Sequence, residues 1–392
     1  YTDALRHEFD ATVLSCDVAE GRATVVLDET AFYPTSGGQP FDTGLLGASH
    51  VIDVIDDDAG TIRHVVDQPL TPGERVHGVI DWARRLDHMQ QHTGQHVLSA
   101  AFDRLFDVRT VSFHLGRETA TIDLAREVTP AEIARAELEA NRVVWENRAV
   151  TVRFATDDEA SRLPLRKEPV RSGLLRLVEV TDFDLSACGG THVPATGMIG
   201  IIAIAGWEKF KGATRVSFVC GGRALHGYGQ LRDAMVAASR ALSVSPAEVA
   251  STIDRLQGDV KELSRTIRRL QDEVAAGRAA KLRADAADIG GRRSVLKHEP
   301  GWDAAGLKTL ASAIVGEPGT VAVLVGDGSP APVVIARSSD VDFDAAGWMK
   351  QAAAALGGRG GGRPELAQGG LGVSPERVLE YAKETLKSSA IE

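Results

Sequence analysis

Cysteine is scarce in this sequence: Cys16, Cys188 and Cys220 are the three in 392 residues. An odd, low count excludes a disulfide framework, fits a reducing compartment and leaves thiols free for metal. Aromatic residues make up only 5%, which argues against a stacking-rich sheet for single-stranded nucleic acid. There is no excess of positive charge. Forty-four Lys and Arg face 54 Asp and Glu, a formal net charge of −10, which excludes a globally basic nucleic-acid coat but leaves room for a local basic track. Long apolar runs are missing too. The longest lies near Ile199 to Trp207, far short of the ~20 residues a membrane helix needs. The opening YTDALRHEFD has no basic-then-apolar signal. A soluble, cytoplasmic protein with no membrane association is expected.

What is present is ordinary globular composition, 43% hydrophobic and 25% charged. A chain of this length can bury a real core and suggests two or three domains. Residues 1–82 read as β-rich. ATVVLDETAFY and HVIDVID alternate like strands, and GERVHGVIDW adds another, so a small barrel or curved sheet is predicted. From Ala83 the texture changes. DHMQQHTGQHVLSAAFDRLF has helical spacing, and TVSFHLGRETATIDL reads as two strands around Gly116. Thr129, Pro130 and Glu132 form a capping signature before another helix. VTVRFA and LLRLVEV resume the strands, and IGIIAIAGWEKFKGATRVSFVCG reads as a strand pair. Residues 83–240 are therefore expected to form one α+β domain.

Residues 241–287 are expected to be a helical linker. Pro246 opens it, and Val249, Ile253, Leu256, Val260, Leu263, Ile267, Leu270 and Val274 follow in steps of four and three. Such a heptad seam suits a connector packed on a neighbouring domain, or a coiled coil that dimerises or forms a hairpin. Residues 288–392 form a last small α/β domain. TVAVLVGDG and APVVIAR are its strands, DAAGLKTLASAIV and FDAAGWMKQAAAAL its helices, GGRGGGRPELAQGG a Gly-rich loop and SPERVLEYAKETLKS a closing helix. The whole chain is of the α+β class.

Three constellations carry chemistry. His92 and His96 stand four apart in a predicted helix, so one turn puts both imidazoles on one face. Thr93 follows the first histidine where a metallopeptidase helix has Glu, which disfavours that class. Cys188 and His192 also stand four apart, in CGGTH. There the glycines make a tight loop, a common metal clamp. Together the pairs offer one thiolate and three imidazoles, a set suited to zinc. Four protein ligands would fill a tetrahedral shell, so a structural zinc stands beside a catalytic one. In FYPTSGGQ, Gly37 and Gly38 let the backbone bend and another molecule approach, and Gln39 offers both donors and an acceptor. A hairpin turn with a surface glutamine is the plainer account of the same residues.

FYPTSGGQ, HTGQH, SACGGTH and KGATRVSF occur in the order seen in the editing domain of alanyl-tRNA synthetases. The chain resembles the free-standing alanyl-tRNA editing proteins, the AlaX family, in their long form. GGRGGGRPELAQGG resembles the Gly-rich loop of the synthetase's C-terminal DHHA1 domain. The resemblance implies hydrolysis of tRNA(Ala) wrongly charged with serine or glycine. It implies one zinc ion per chain, held by His92, His96, Cys188 and His192, with Gln39 and Thr191 in the editing pocket touching substrate or water. Ser112 and His114 of SFHLG would face the same pocket. Lys209, Lys211 and Arg215 beside CGGTH, and Arg359 and Arg363 flanking the glycines, would neutralise RNA phosphates. As solvated surface charges they would need no such role. The Gly-rich segment is no nucleotide P-loop, since no Gly-Lys-Ser/Thr follows. The editing-type motifs begin almost at residue 1, so hydrolysis without ATP is expected rather than charging. A homodimer through residues 246–274 or the C-terminal domain is a further expectation. The competing reading is a non-catalytic tRNA-binding scaffold with a structural zinc.

Overall fold

The computed structural model describes residues 3–19, 21–57, 60–166 and 173–388. The chain divides into two compact units, Tyr1–Ala237 and Ala238–Glu392.

The first unit opens with six strands, β1 (Glu8–Ala19), β2 (Arg22–Leu27), β3 (Gly44–Leu46), β4 (Ser49–Asp56), β5 (Ile62–Val66) and β6 (Arg75–Ile80). They close into a barrel in the order β1-β2-β5-β4-β3-β6. Alternation fills it: Phe9, Ala11 and Val13 from β1 meet Val25, Leu27, Val54, Val66 and Ile80. Gly78 is required opposite Phe9, because a Cβ there would lie 2.4 Å from the phenyl ring. The strand expected through ATVVLDETAFY stops at Leu27. The Asp28 carboxylate accepts the N–H groups of Thr12 and Glu29 and ends the ladder. Phe32 then turns inward, edge-on to Phe9 at 5.8 Å.

Helix α1 (Trp82–Phe106) follows, with Asp81 as N-cap accepting from the Arg84 N–H. β7 (Thr110–Leu115) and β8 (Ala120–Leu124) form the hairpin read from the sequence. Helix α2 (Pro130–Trp145) has the full Thr129–Glu132 capping box. Then come β9 (Val150–Ala155), the helical turn α3 (Asp157–Ala160), β10 (Leu175–Val180) and β11 (Asp184–Ala187). The unit ends with β12 (Ile202–Phe210), β13 (Ala213–Cys220) and helix α4 (Gly221–Leu242), within which the division between units falls. Two antiparallel sheets result, β11-β10-β9 and β12-β13-β8-β7. Met89, Val97, Leu98 and Phe102 of α1 pack with Ile133 and Val143 of α2 and with Ile122, Val178, Val216 and Phe218 of the sheets. Nothing in the sequence reading anticipated α4. Gly221, Gly222, Gly227 and Gly229 crowd its start and mask the helical pattern.

In the second unit a 3-10 turn (Pro246–Glu248), capped by Ser245, leads into helix α5 (Val249–Ala284). β14 (Ala287–Ile289), β15 (Arg292–His298), helix α6 (Ala304–Ile314), β16 (Thr320–Val325), β17 (Ala331–Arg337), helix α7 (Ala345–Leu356), β18 (Gly358–Arg363), β19 (Leu366–Leu371) and helix α8 (Pro375–Ser388) complete it. The sheet order is β14-β15-β16-β17-β19-β18, with β15 and β16 parallel. Ala275, Ala279 and Leu282 dock the end of α5 onto Leu307 and Leu310 of α6. The segment expected to be a Gly-rich loop is instead the β18–β19 hairpin. Its glycines serve packing: a Cβ on Gly360 or Gly369 would lie 2.6–2.8 Å from Met349 of α7, so the helix rests directly on the strand backbone. Among the described residues, no helix is long and apolar enough to cross a membrane.

Candidate metal centre

Helix α1 delivers the first pair of donors. His92 and His96 project from successive turns with ring centroids 5.5 Å apart. The loop after β11 delivers the second pair. The Cys188 Sγ lies 3.3 Å from the His92 Nε2 and 3.3 Å from the His192 Nε2. One donor atom from each of His92, His96, Cys188 and His192 falls within 4.8 Å of the others. Tetrahedral zinc, with bonds of about 2.0–2.3 Å, needs donor separations of about 3.5 Å. The donor set therefore fits that ion.

Each imidazole is aimed from behind. His92 Nδ1 donates to Gln39 Oε1 at 2.9 Å, and His96 Nδ1 donates to Asp184 Oδ2 at 2.9 Å. His192 Nδ1 lies 3.2 Å from Thr93 Oγ1, which also accepts the Val193 N–H. With all three Nδ1 atoms engaged outward, the three Nε2 atoms are left for a cation. Gln39 is held in turn by Thr191, donating from Nε2 to Oγ1 at 2.8 Å and accepting the backbone N–H at 3.0 Å. Asp184 is gripped by Arg166 at 2.6 Å and by the Ser186 hydroxyl at 3.1 Å. Gly190 lets the loop pass beside His92, since a Cβ there would sit 2.1 Å from its ring.

The electrostatics suit a cation. Burial pushes the Cys188 thiol up, but His92 and His192 more than reverse this and hold it well below the usual thiol range. Burial depresses His192 to about 3. In His96 burial is outweighed by the bond to Asp184 and by Cys188, which raise it to about 9. A metal at His96 displaces that proton.

A cavity of about 410 Å³ opens on the centre. Gly37, Gly38, His92, His96, Ser112 and Cys188 are in its wall, with Gln95, Thr110, Arg166 and Ser186. The residues read from the sequence thus separate. Gly37, Gly38 and Ser112 line the cavity. Gln39 and Thr191 are fully buried behind the ligands, their side chains spent on each other and on His92. His114 is exposed on β7 beyond the wall. Lys209 pairs with Glu127, Arg215 grips Asp123 through two bonds and stacks on Phe210, and Lys211 occupies the β12–β13 turn. Arg359 and Arg363 are exposed on the edge strand β18. Asp184 and Arg166 went unremarked in the sequence, and Thr93 was noted only for standing where a metallopeptidase has Glu, not as an anchor of His192. Asp184 sits four residues before Cys188 and Thr93 between the two histidines, which is the signal that was there to be read.

A barrel, an α+β body and a buried cluster of one thiolate and three imidazoles that could hold a metal ion define the first unit as of the editing-domain type. Residues 175–217 match the threonyl and alanyl tRNA synthetase second additional domain, 7–84 match the class II (A) tRNA synthetases, and 290–390 match the DHHA1 domain. The alanyl-tRNA editing protein AlaX-L of Pyrococcus horikoshii is 31% identical over 404 residues, covering 99% of this chain and 98% of that protein. The chain belongs to the alanyl-tRNA editing protein family. It is also 34% identical to the alanine–tRNA ligase of Pyrococcus furiosus and 35% to that of Natronomonas pharaonis, spanning 42% and 43% of their lengths.

Proposed function

We propose that this protein hydrolyses the aminoacyl ester of tRNA(Ala) mischarged with serine or glycine, using a zinc ion held by His92, His96, Cys188 and His192. The observation that carries this reading is the convergence of three outward-anchored imidazoles and a thiolate, of which His92, His96 and Cys188 line one cavity. The similar Pyrococcus horikoshii protein, by its name, edits alanyl-tRNA. A bound zinc would supply Lewis-acid polarisation and an acidified water.

The chain's own groups do the rest. Gln39 and Asp184 fix the planes of His92 and His96, and Thr191 fixes Gln39. These are positioning residues. Gly37 and Gly38 keep the cavity mouth free of side chains so the terminal ribose can approach the backbone. Ser112 offers a hydroxyl to the substrate. No carboxylate lines the cavity among the described residues, so no Glu or Asp there is placed as a general base, and a bound zinc or the substrate's own ribose would have to supply that chemistry. Lys209, Lys211, Arg215, Arg359 and Arg363 are proposed as phosphate contacts, with His114 at the approach to the site. A thiolate ligand at Cys188 suits a reducing compartment such as the cytoplasm. The exposed seam of α5 supports a homodimer through that helix.

The test is release of labelled serine from Ser-tRNA(Ala), with Ala-tRNA(Ala) and Ser-tRNA(Ser) as controls, before and after chelation and zinc re-addition. Selective release that chelation abolishes and zinc restores is expected. Equal slow loss from all three substrates would leave a tRNA-binding scaffold whose four-ligand zinc is structural.

A further inference from the structure

A second cavity, of about 440 Å³, lies beside the metal centre within the first unit. Its wall includes Pro40, Arg84, Asp87, His88, Arg117 and Arg223. Three guanidinium groups and one carboxylate face a single space in a chain whose overall charge is −10. Arg223 is committed: it makes two bonds to Asp87, at 2.7–2.8 Å, and one to the Gly116 carbonyl. Arg84 spends only Nε, on the Phe41 carbonyl at 3.0 Å, while its guanidinium lies over the Phe41 ring. Arg117 makes no hydrogen bond or ion pair among the described residues and is exposed. The cavity therefore carries two uncompensated positive charges.

His88 adds an independent sign. Its side chain is 97% buried, yet Nδ1 has no hydrogen-bond partner. Burial first and Arg84 second depress it to about 4, so near neutrality the ring is uncharged and offers one N–H and one lone pair. Buried polar groups in folded proteins are almost always paired. An unpaired one beside two guanidiniums that no carboxylate pairs, Arg84 and Arg117, points to a partner from outside the chain.

We infer that this cavity is an anion subsite that takes a phosphate group of the RNA substrate, clamped by Arg84 and Arg117 with His88 beside them. Guanidinium is the side chain whose planar donors match phosphate oxygens in pairs. The position fits. His88 precedes the metal ligand His92 by one helical turn, roughly 6 Å, and Pro40 directly follows Gln39. A strand whose terminal ester meets the metal centre has its nearest phosphates within such reach. The inference rests on the proposed hydrolysis for the identity of the ligand, but not for the existence of the site.

Two measurements on the full chain test it. In the first, inorganic phosphate is titrated against the ¹⁵N–¹H signals of the His88 ring, with chloride at matched ionic strength as control. A saturable shift is expected, weakened about tenfold in Arg117→Ala. No shift, or an unchanged midpoint in the variant, overturns the site. In the second, serine release is compared between Ser-tRNA(Ala) and seryl-adenosine, which lacks phosphates. Arg117→Ala should raise KM for the tRNA about tenfold and lower the salt dependence of KM by about one counterion. It should leave kcat and seryl-adenosine hydrolysis unchanged, and Arg117→Lys should restore part of the loss. Equal damage to both substrates overturns the subsite. If the unmodified protein hydrolyses neither substrate, the hydrolase reading fails and the phosphate titration still decides the site.

Discussion

The two long helices of this protein invert the usual rule in opposite directions. α1 buries what is normally exposed: Arg85, His88, Gln91, His92, Thr93, Gln95, His96 and Ser99 all lie inside the first unit. α5 exposes what is normally buried: Leu256, Val260, Leu263, Ile267, Leu270 and Val274 are 44–62% exposed. In α1 nearly every buried polar group has a partner, so the cost of desolvation is met by hydrogen bonds. In α5 the heptad seam has no such resolution within the unit, apart from its docked end at Ala275, Ala279 and Leu282. A polar interior specifies a site; an apolar exterior specifies a contact to be made with another surface.

The most damaging way to break α1's side of that contrast is to remove Arg85. Its guanidinium grips Asp42 and donates to the carbonyls of Ala4 and Ala31, tying the barrel to the helix. Arg85→Ala leaves Asp42 charged and buried, and a loss of about 3–5 kcal/mol is expected in urea unfolding. Acid should act on the same helix. His88 is neutral when folded and titrates at about 4, against 6.5 when unfolded. The unfolded chain therefore binds more protons between those values. Stability should be fully present above pH 6.5 and fall by up to about 3 kcal/mol as pH drops towards 4. His88→Gln should blunt the fall. His64, buried in the barrel and likewise depressed to about 4 by burial, should retain its own share.

On the other side of the contrast, Leu263→Asp should dissociate a dimer built on the seam. Losing one buried leucine is worth about 1.5–3 kcal/mol per copy, and the monomer–dimer equilibrium is readable by sedimentation. A chain that is monomeric before mutation would break the comparison, leaving the seam to another partner. The mildest change sharpens the site itself. Asp184→Asn keeps the shape but weakens the anchor of His96, and a 10–100-fold loss of zinc affinity is expected in competition with a chelator. Serine release should fall with occupancy and recover when zinc is raised.

Legibility in the sequence followed the range of the interaction. The four-residue spacing of His92 and His96, the Thr129 capping box and the α5 seam are local patterns, and all appear in the structure where the sequence put them. The small barrel expected for residues 1–82 is present too, but its strand order, with β1 closing on β6 across nearly seventy positions, has no local signature. Gln39 was noticed for its chemistry and expected to touch substrate or water; its acceptor instead faces His92 across 53 residues. The glycines of β18 and β19 read as a loop because their purpose, room for Met349, lies on another element.

Thr93 has one more consequence. A single hydroxyl, lodged between the two helical ligands, touches both the ring of His192 and the N–H of Val193. The helix thus carries two ligands and the hook for a third within five residues. Helices form from near contacts, faster than segments that must be gathered from far along the chain. α1 is in this sense a template: half the centre and the docking point for the rest lie in one local element, while Cys188 and His192 must be brought in across 96 to 99 residues.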